Sequence, residues 1–325
     1  MFDPDACVIF NPASGKKKQD ARAPQLLRLI ENNPRIALCQ LRKPQDLERE
    51  VQRASAEGFA TVIAAGGDGT ISGVAGALVD NGARLGIVPM GTFNFLARSL
   101  NIPEDTEEAL AVALDGTDAP LSVGDVNGQI FLNNASLGAY AAVLEVREGV
   151  YRRWGRSRPA AYWSVLVAML TLYRPLKMRI TIDGTVVELK SPMAFVASSA
   201  YQLEQYNFDG IEAVRDGKLA LFVAPNSGRL MLLWRALKVL FGGVRRGTDY
   251  RLFTGQEILI ETRRATSLVA RDGERGRMAG PYRFRLLKDA LTVRVPPSVP
   301  RTEGETPVLA AQSTPSPDPG PVPSA

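Results

Sequence analysis

Two glycine-threonine turns carry the chemistry this sequence can support. Gly66-Gly67-Asp68-Gly69-Thr70 follows the apolar run 61–65, and Pro89-Met90-Gly91-Thr92-Phe93-Asn94 follows the run 84–88. Beyond the first turn, Ile71, Val74, Ala75, Leu78 and Val79 recur at helical spacing. A strand that feeds a glycine-rich turn and then a helix lets backbone approach a bulky anion, and the helix start favours negative charge. Asp68 would repel a phosphate unless a cation lay between them, so the economical ligand is a nucleoside triphosphate carried with Mg²⁺. Thr70 and Thr92 can each give a hydroxyl to a phosphate oxygen. A third loop, Asn11-Pro12-Ala13-Ser14-Gly15 followed by Lys16, Lys17 and Lys18, ends the first apolar run and adds basic side chains.

Composition narrows the chemistry further. The chain has 325 residues and no histidine, which excludes a Ser-His-Asp triad, a Cys-His dyad and every histidine metal site. A general base must then be Asp, Glu or Lys. Cys7 and Cys39 both sit in apolar runs and read as buried free thiols, in keeping with a reducing compartment. A formal charge of +5 suits a nucleotide or an anionic membrane and does not by itself call for nucleic acid. The acidic start, Met1 to Asp5, lacks a signal-peptide pattern, and the longest apolar stretch, 160–172, is too short to span a bilayer. The expectation is a cytoplasmic protein that touches the inner membrane face peripherally. Oligomeric state is not legible.

Stepping outward, residues 6–115 alternate strand (6–10, 36–41, 61–65, 84–88) with helix (19–32, 45–57, 94–99, 106–114). That order predicts an α/β domain of three layers with a parallel sheet, whose ligand lies beyond the carboxyl ends of the strands. From about residue 121 strand-like runs follow in series: 129–137, 176–182, 185–189, 193–199, 218–224, 249–253, 257–262, 266–270 and 282–287. Asp183-Gly184 makes a hairpin turn, and helices are expected only at 160–172 and 229–241. This part reads as a mainly antiparallel β domain. The predicted division is 1–123 for the nucleotide-binding domain, with 290–296 able to complete it, 124–289 for a β-rich lipid-binding domain, and a disordered proline-rich tail over 297–325.

In order and spacing, Asn-Pro-x-Ser-Gly, Gly-Gly-Asp-Gly-Thr and Pro-x-Gly-Thr-x-Asn resemble the diacylglycerol kinase catalytic-domain family of lipid kinases. Phe131 to Gly138, Asp216-Gly217-Lys218-Leu219 and Asp272-Gly273-Glu274 look like three later blocks of that family. The resemblance covers roughly residues 6–296. It implies a two-domain fold with ATP in the cleft between the domains. It implies a nucleotide site of Asn11, Gly66, Gly67, Asp68, Gly69, Thr70, Ile71, Ser72, Gly91 and Thr92, with Asp68 near a catalytic Mg²⁺. Glu274 is implied as the base that deprotonates a lipid hydroxyl, and Asp216 with the carbonyls of Ala213 and Lys218 as the ligands of a structural Mg²⁺. On the residues alone, Asp272-Gly273-Glu274 and Asp216-Gly217 read as turns. Two positions depart from the family: many relatives have an acid where Phe95 stands and another where Ser122 aligns, and Asp125 lies nearby but out of register.

The leading expectation is an ATP- and Mg²⁺-dependent lipid kinase whose acceptor, diacylglycerol, a long-chain base or another lipid alcohol, is not specified. A kinase of a soluble nucleoside substrate, similar to NAD kinases, is the enzyme alternative. A catalytically silent lipid- or nucleotide-binding homologue is the other, motivated by Phe95 and Ser122. Two segments suit an anionic bilayer surface: 229–246, with Arg235, Lys238, Arg245 and Trp234, and 151–158, with Arg152, Arg153, Arg156, Arg158 and Trp154. Nucleic acid is not expected as a partner.

Overall fold

The computed structural model describes residues 4–12, 21–138, 175–228, 231, 234 and 249–297. Within the first 115 residues, β1 (Ala6–Phe10), β2 (Ile36–Gln40), β3 (Thr61–Gly66) and β4 (Arg84–Pro89) alternate with α1 (Arg22–Glu31), α2 (Leu47–Ala56), α3 (Asp68–Leu78), the short α4 (Phe95–Ser99) and α5 (Thr106–Asp115). The four strands pair in parallel in the order β2-β1-β3-β4. β1 and β3 are buried along their whole length, which is why their sequences are unbroken apolar runs rather than alternating ones. Helices cover both faces, with Leu26, Val51, Ile71, Val74 and Ala109 turned into one core. α5 begins at Thr106, as expected. Asp105 is the cap, its carboxylate accepting from the amides of Glu107 and Glu108.

The second part is a sandwich of two sheets. β5 (Thr117–Val126), β6 (Gln129–Phe131), β8 (Leu176–Ile182), β9 (Thr185–Ser191), β13 (Glu257–Thr262) and β16 (Tyr282–Val295) extend the parallel sheet into a ten-stranded one. β7 (Asn134–Gly138), β10 (Met193–Ala197), β11 (Leu219–Val223), β12 (Arg251–Gly255), β14 (Thr266–Arg271) and β15 (Glu274–Ala279) form a six-stranded antiparallel sheet. The two inner faces share a core that includes Phe131, Leu137, Ile180, Val196, Ile258, Val269, Tyr282 and Phe284. β16 joins the two halves of the large sheet. Val293 pairs in parallel with Leu85 of β4, while Phe284 pairs antiparallel with Ile258 of β13. The runs 282–287 and 290–295 are thus one strand, with a register shift against β5 between Leu287 and Leu291.

Three further expectations are corrected. The run 129–137 is not one strand. It breaks at Leu132-Asn133, and the chain leaves the large sheet for the small one. β5 was not expected, because Pro120 and Gly124 interrupt its apolar pattern, and β15 was hidden by its polar edge-strand sequence. Two short helices, α6 (Ala200–Gln205) and α7 (Ile211–Arg215), were also absent from the reading. The expected helices 160–172 and 229–241, the basic segments 151–158 and 229–246, Lys16 to Lys18 and the tail lie outside the described residues, apart from Met231 and Trp234.

Both thiols are buried and unpaired with each other. Burial, with Cys39 alongside, pushes the Cys7 thiol up to about 12. Burial and a hydrogen bond donated to Glu50 at 3.2 Å push Cys39 up to about 11. Neither is a nucleophile at neutral pH.

Candidate active site

β3 delivers the first glycine turn to the start of α3, and β4 delivers the second to the start of α4. The two turns lie against each other. A Cβ on Gly91 would stand 2.8 Å from the Gly67 Cα, so the approach needs glycine at 91, and one on Gly67 would stand 3.3 Å from the Gly91 Cα, a tight contact. Asn94 closes the second turn on itself: its Oδ1 accepts from the Gly91 amide at 2.9 Å while its own backbone is left-handed at φ 49°. Asp68 ties the two turns together. Its carboxylate accepts from the Asn94 amide at 3.0 Å and the Phe95 amide at 2.7 Å, capping α4. Burial raises its proton affinity, the two amides work against that, and Asp272 nearby adds to the rise. Asn11, at the end of β1, donates through Nδ2 to Thr70 Oγ1 at 3.1 Å. Asn11, Gly66 to Thr70 and Gly91 thus form one cluster at the carboxyl ends of β1, β3 and β4, with Thr92 next in the chain.

The six-stranded sheet reaches this cluster through one turn. Asp272 and Gly273 have φ of 45° and 86°, the two positive values of a type I′ hairpin turn between β14 and β15. The turn places Glu274 at the start of α3, where a Cβ on Gly69 would stand 2.9 Å from Glu274 Oε1. Asp272 secures it. Its carboxylate accepts from the amides of Leu132 at 2.6 Å, Asn133 at 2.8 Å and Asn134 at 3.1 Å, and from Ser72 Oγ at 2.7 Å. Those amides belong to the break between β6 and β7, so the same carboxylate that fixes the turn explains the change of sheet. The Ser72 hydroxyl, expected at the nucleotide, is spent on this link between α3 and the hairpin. Ile71 is fully buried in the first core and presents no side chain to a ligand.

Asp216, Ala213 and Lys218 are not brought to this cluster. They occupy the turn from α7 to β11, which borders a cavity of about 550 Å³ lined by Val79, Asp80, Gly217 and Lys288. Val79 follows the last turn of α3, roughly 16 Å along the helix axis from Asp68. The Ala213 carbonyl accepts the Lys218 amide at 2.9 Å and Val214 the Gly217 amide at 3.1 Å, with Gly217 left-handed at φ 74°. This closure is a Schellman motif and holds the turn by itself. Its hard oxygen donors at the negative end of a helix suit Mg²⁺ in kind. Among the described residues no group of three or more Asp, Glu, His or Cys side chains is placed to hold a metal ion.

The departures have structural occupants. The Phe95 ring stacks on Phe93 at 5.5 Å between centroids and leans on Tyr206 of the α6 end at 6.2 Å, so an apolar contact between α4 and α6 stands where an acid would. Ser122 Oγ accepts the Asp289 amide at 3.1 Å. Asp125 is buried and paired with Arg285 at 3.1 Å. Two basic residues at the site were not singled out from sequence. Arg22 donates to the Pro89 carbonyl at the end of β4, and Arg271 donates to the Ile130 carbonyl. A signal for Arg271 was present: residues flanking an Asp-Gly type I′ turn stand directly opposite each other, which sets Arg271 beside Glu274.

Residues 5–126 match the family model of the diacylglycerol kinase catalytic domain, and residues 134–295 match that of the YegS C-terminal NAD kinase beta sandwich-like domain. The chain belongs to the diacylglycerol kinase catalytic-domain family. A family relative described as a diacylglycerol kinase, from Staphylococcus aureus (strain bovine RF122 / ET3-1), is 32% identical over 195 residues, which are 59% of this chain and 61% of that protein. The matched region therefore spans about three fifths of the length of the curated relatives. A crystal structure of a diacylglycerol kinase from Bacillus anthracis str. Sterne shares the fold with a TM-score of 0.63 at 19% identity, covering 92% of this chain and 98% of that one. Yeast NADH kinase complexed with NADH is a more distant likeness, with a TM-score of 0.50 at 13% identity over 88% of this chain and 78% of that one. At these identities both structures speak for the family fold alone.

Proposed function

We propose that this protein is an ATP-dependent kinase that phosphorylates a hydroxyl group of a membrane lipid. The observation that carries the reading is the seat of Glu274: a carboxylate from the β domain lies over Gly69, in the first turn of α3, where the positive end of the helix favours a polyphosphate. Gly67 and Gly91 keep the cradle open to backbone approach, Asn11 and Thr70 hold its wall, and Thr92 offers a hydroxyl. Glu274 takes the proton of the acceptor hydroxyl, whose oxygen attacks the terminal phosphorus as the bond to ADP breaks. Phosphoryl transfer is mostly positioning and charge neutralisation, so a cradle, a base and opposing charge suffice. Mg²⁺ bound with the nucleotide would supply neutralisation of the triphosphate against Asp68, Asp272 and Glu274. Asp216, with the Ala213 and Lys218 carbonyls, would hold a second ion whose part is structural, given its distance along α3.

A lipid acceptor is supported by the family and by the β domain that presents Glu274. Among the described residues no helix is long and apolar enough to cross a membrane, so the substrate would be met at the bilayer surface. Met231 and Trp234, both exposed, belong to the basic segment expected to rest there. The test is product analysis. The chain is incubated with γ-labelled ATP and anionic vesicles carrying diacylglycerol, a long-chain base or phosphatidylglycerol, and separately with NAD. Label should pass to one of the lipids. Label in NADP with none in any lipid would contradict the proposal.

A further inference from the structure

Asp68, Asp272 and Glu274 converge on the start of α3, where the proposed reaction needs a polyanion. Such a cluster would repel its own substrate without opposing charge. Arg271 stands among these groups. It faces Glu274 directly across the β14–β15 turn, and cross-strand partners share one face of a sheet. Its Nη1 donates to the Ile130 carbonyl at 3.0 Å. Ile130 in turn packs against α3, where a Cβ on Gly76 would stand 3.7 Å from its Cβ, so the guanidinium is anchored on a strand that packs against the helix carrying the cradle. Contacts of α3 with the β domain run along one stripe: Gly69 with Glu274, Ser72 with Asp272, Gly76 with Ile130.

Among the described residues the other donors of this guanidinium have no hydrogen-bond acceptor. Among the described residues Arg271 makes no ion pair, although Glu274 and Asp272 act on it through space. Asp272 cannot turn to it, because its oxygens are taken by three amides and the Ser72 hydroxyl. The side chain is half-buried, and that burial depresses its hold on its proton. A partly desolvated cation with one hydrogen bond is costly unless an anion comes to it. A guanidinium presents a planar fork of donors that matches the oxygens of a phosphoryl group.

We propose that Arg271 contacts the phosphoryl group transferred from ATP. The inference rests on the kinase reading above and adds a catalytic residue to it. The acceptor O–H proton goes to Glu274, the new O–P bond forms, and the old P–O bond breaks with its electron pair leaving on ADP. Charge on the in-flight phosphoryl oxygens is met by the fork of Arg271.

Two readouts test this on the full chain. Phenylglyoxal modification of Arg271, followed by peptide mass spectrometry, should slow severalfold when MgATP is present. With γ-labelled ATP and diacylglycerol vesicles, Arg271→Met should lose about 10²–10³-fold in kcat with little change in KM for ATP. Arg271→Lys should recover only part of that, and added guanidine should restore activity to Arg271→Ala. Unchanged modification with ATP, or an Arg271→Met chain that keeps most of its kcat, overturns the contact. So does a loss in Arg271→Ala that guanidine leaves unrescued alongside a lower melting temperature, which would make the residue a tether of the hairpin. The two readings fail separately. Protection of Arg271 by ATP in a chain that labels no lipid sinks the lipid-kinase reading and leaves the contact. Glu274-dependent transfer without protection sinks the contact and leaves the kinase.

Discussion

Glu274→Gln is expected to lower kcat for phosphate transfer by about 10³-fold while ATP affinity stays within about threefold of the wild type. Glutamine keeps the shape of the side chain over Gly69 and removes only its capacity to take a proton. Glu274 is set against Gly69, whereas Gly91 packs against Gly67, so the contact between the two glycine turns is untouched. The bonds that Asp272 accepts from the crossing between β6 and β7 remain in place in this variant. Steady-state kinetics with lipid vesicles, paired with calorimetric titration of ATP, separates the two effects. Equal losses in binding and turnover would show that the carboxylate serves the nucleotide. An unchanged kcat would remove Glu274 from the chemistry.

The largest effect on folding is expected at Asp272. Removing its carboxylate in Asp272→Ala leaves three backbone amides in a buried crossing without their acceptor. Each such loss costs about 1–3 kcal/mol, and the three together about 3–5 kcal/mol, since some relaxation is available. For a chain of this size that corresponds to a fall of about 10 °C in melting temperature. Asp272→Asn keeps one acceptor oxygen and should recover part of the loss. Ser72→Ala cuts only the link to α3, so it should leave the melting temperature within a few degrees while lowering kcat, because Glu274 is then less firmly held over Gly69. Scanning calorimetry and kinetics on the three variants check this order. A melting temperature for Asp272→Ala equal to that of the wild type would show that the amides find other partners, and the role of Asp272 in seating Glu274 would fall with it.

Much of the nucleotide side was readable in the residues. β1 and β3 are unbroken apolar runs because parallel strands buried on both faces cannot alternate, and the glycine turns after β3 and β4 bring Gly67 and Gly91 into contact. What escaped depends on partners distant in sequence. The break after Phe131 is enforced by Asp272, some 140 positions away, and nothing local in an apolar run announces it. The engagement of the Ser72 hydroxyl across the domain junction was hidden for the same reason. β15 was missed because an edge strand that carries Glu274, Arg275 and Arg277 has no apolar alternation to show. Phe95 and Ser122 could be recognised as departures, but not what replaces the missing acids: a tilted ring contact between α4 and the end of α6 in one case and a backbone amide of β16 in the other.

The account stands on a polyphosphate lying where the two glycine turns touch, within reach of Glu274. The most direct measurement is a crystal structure of the full chain with a non-hydrolysable ATP analogue and Mg²⁺. The account predicts the triphosphate at the start of α3, between Thr70 and Thr92, with its terminal phosphorus facing the Glu274 carboxylate. An analogue bound elsewhere, or a terminal phosphate turned away from Glu274, would contradict it.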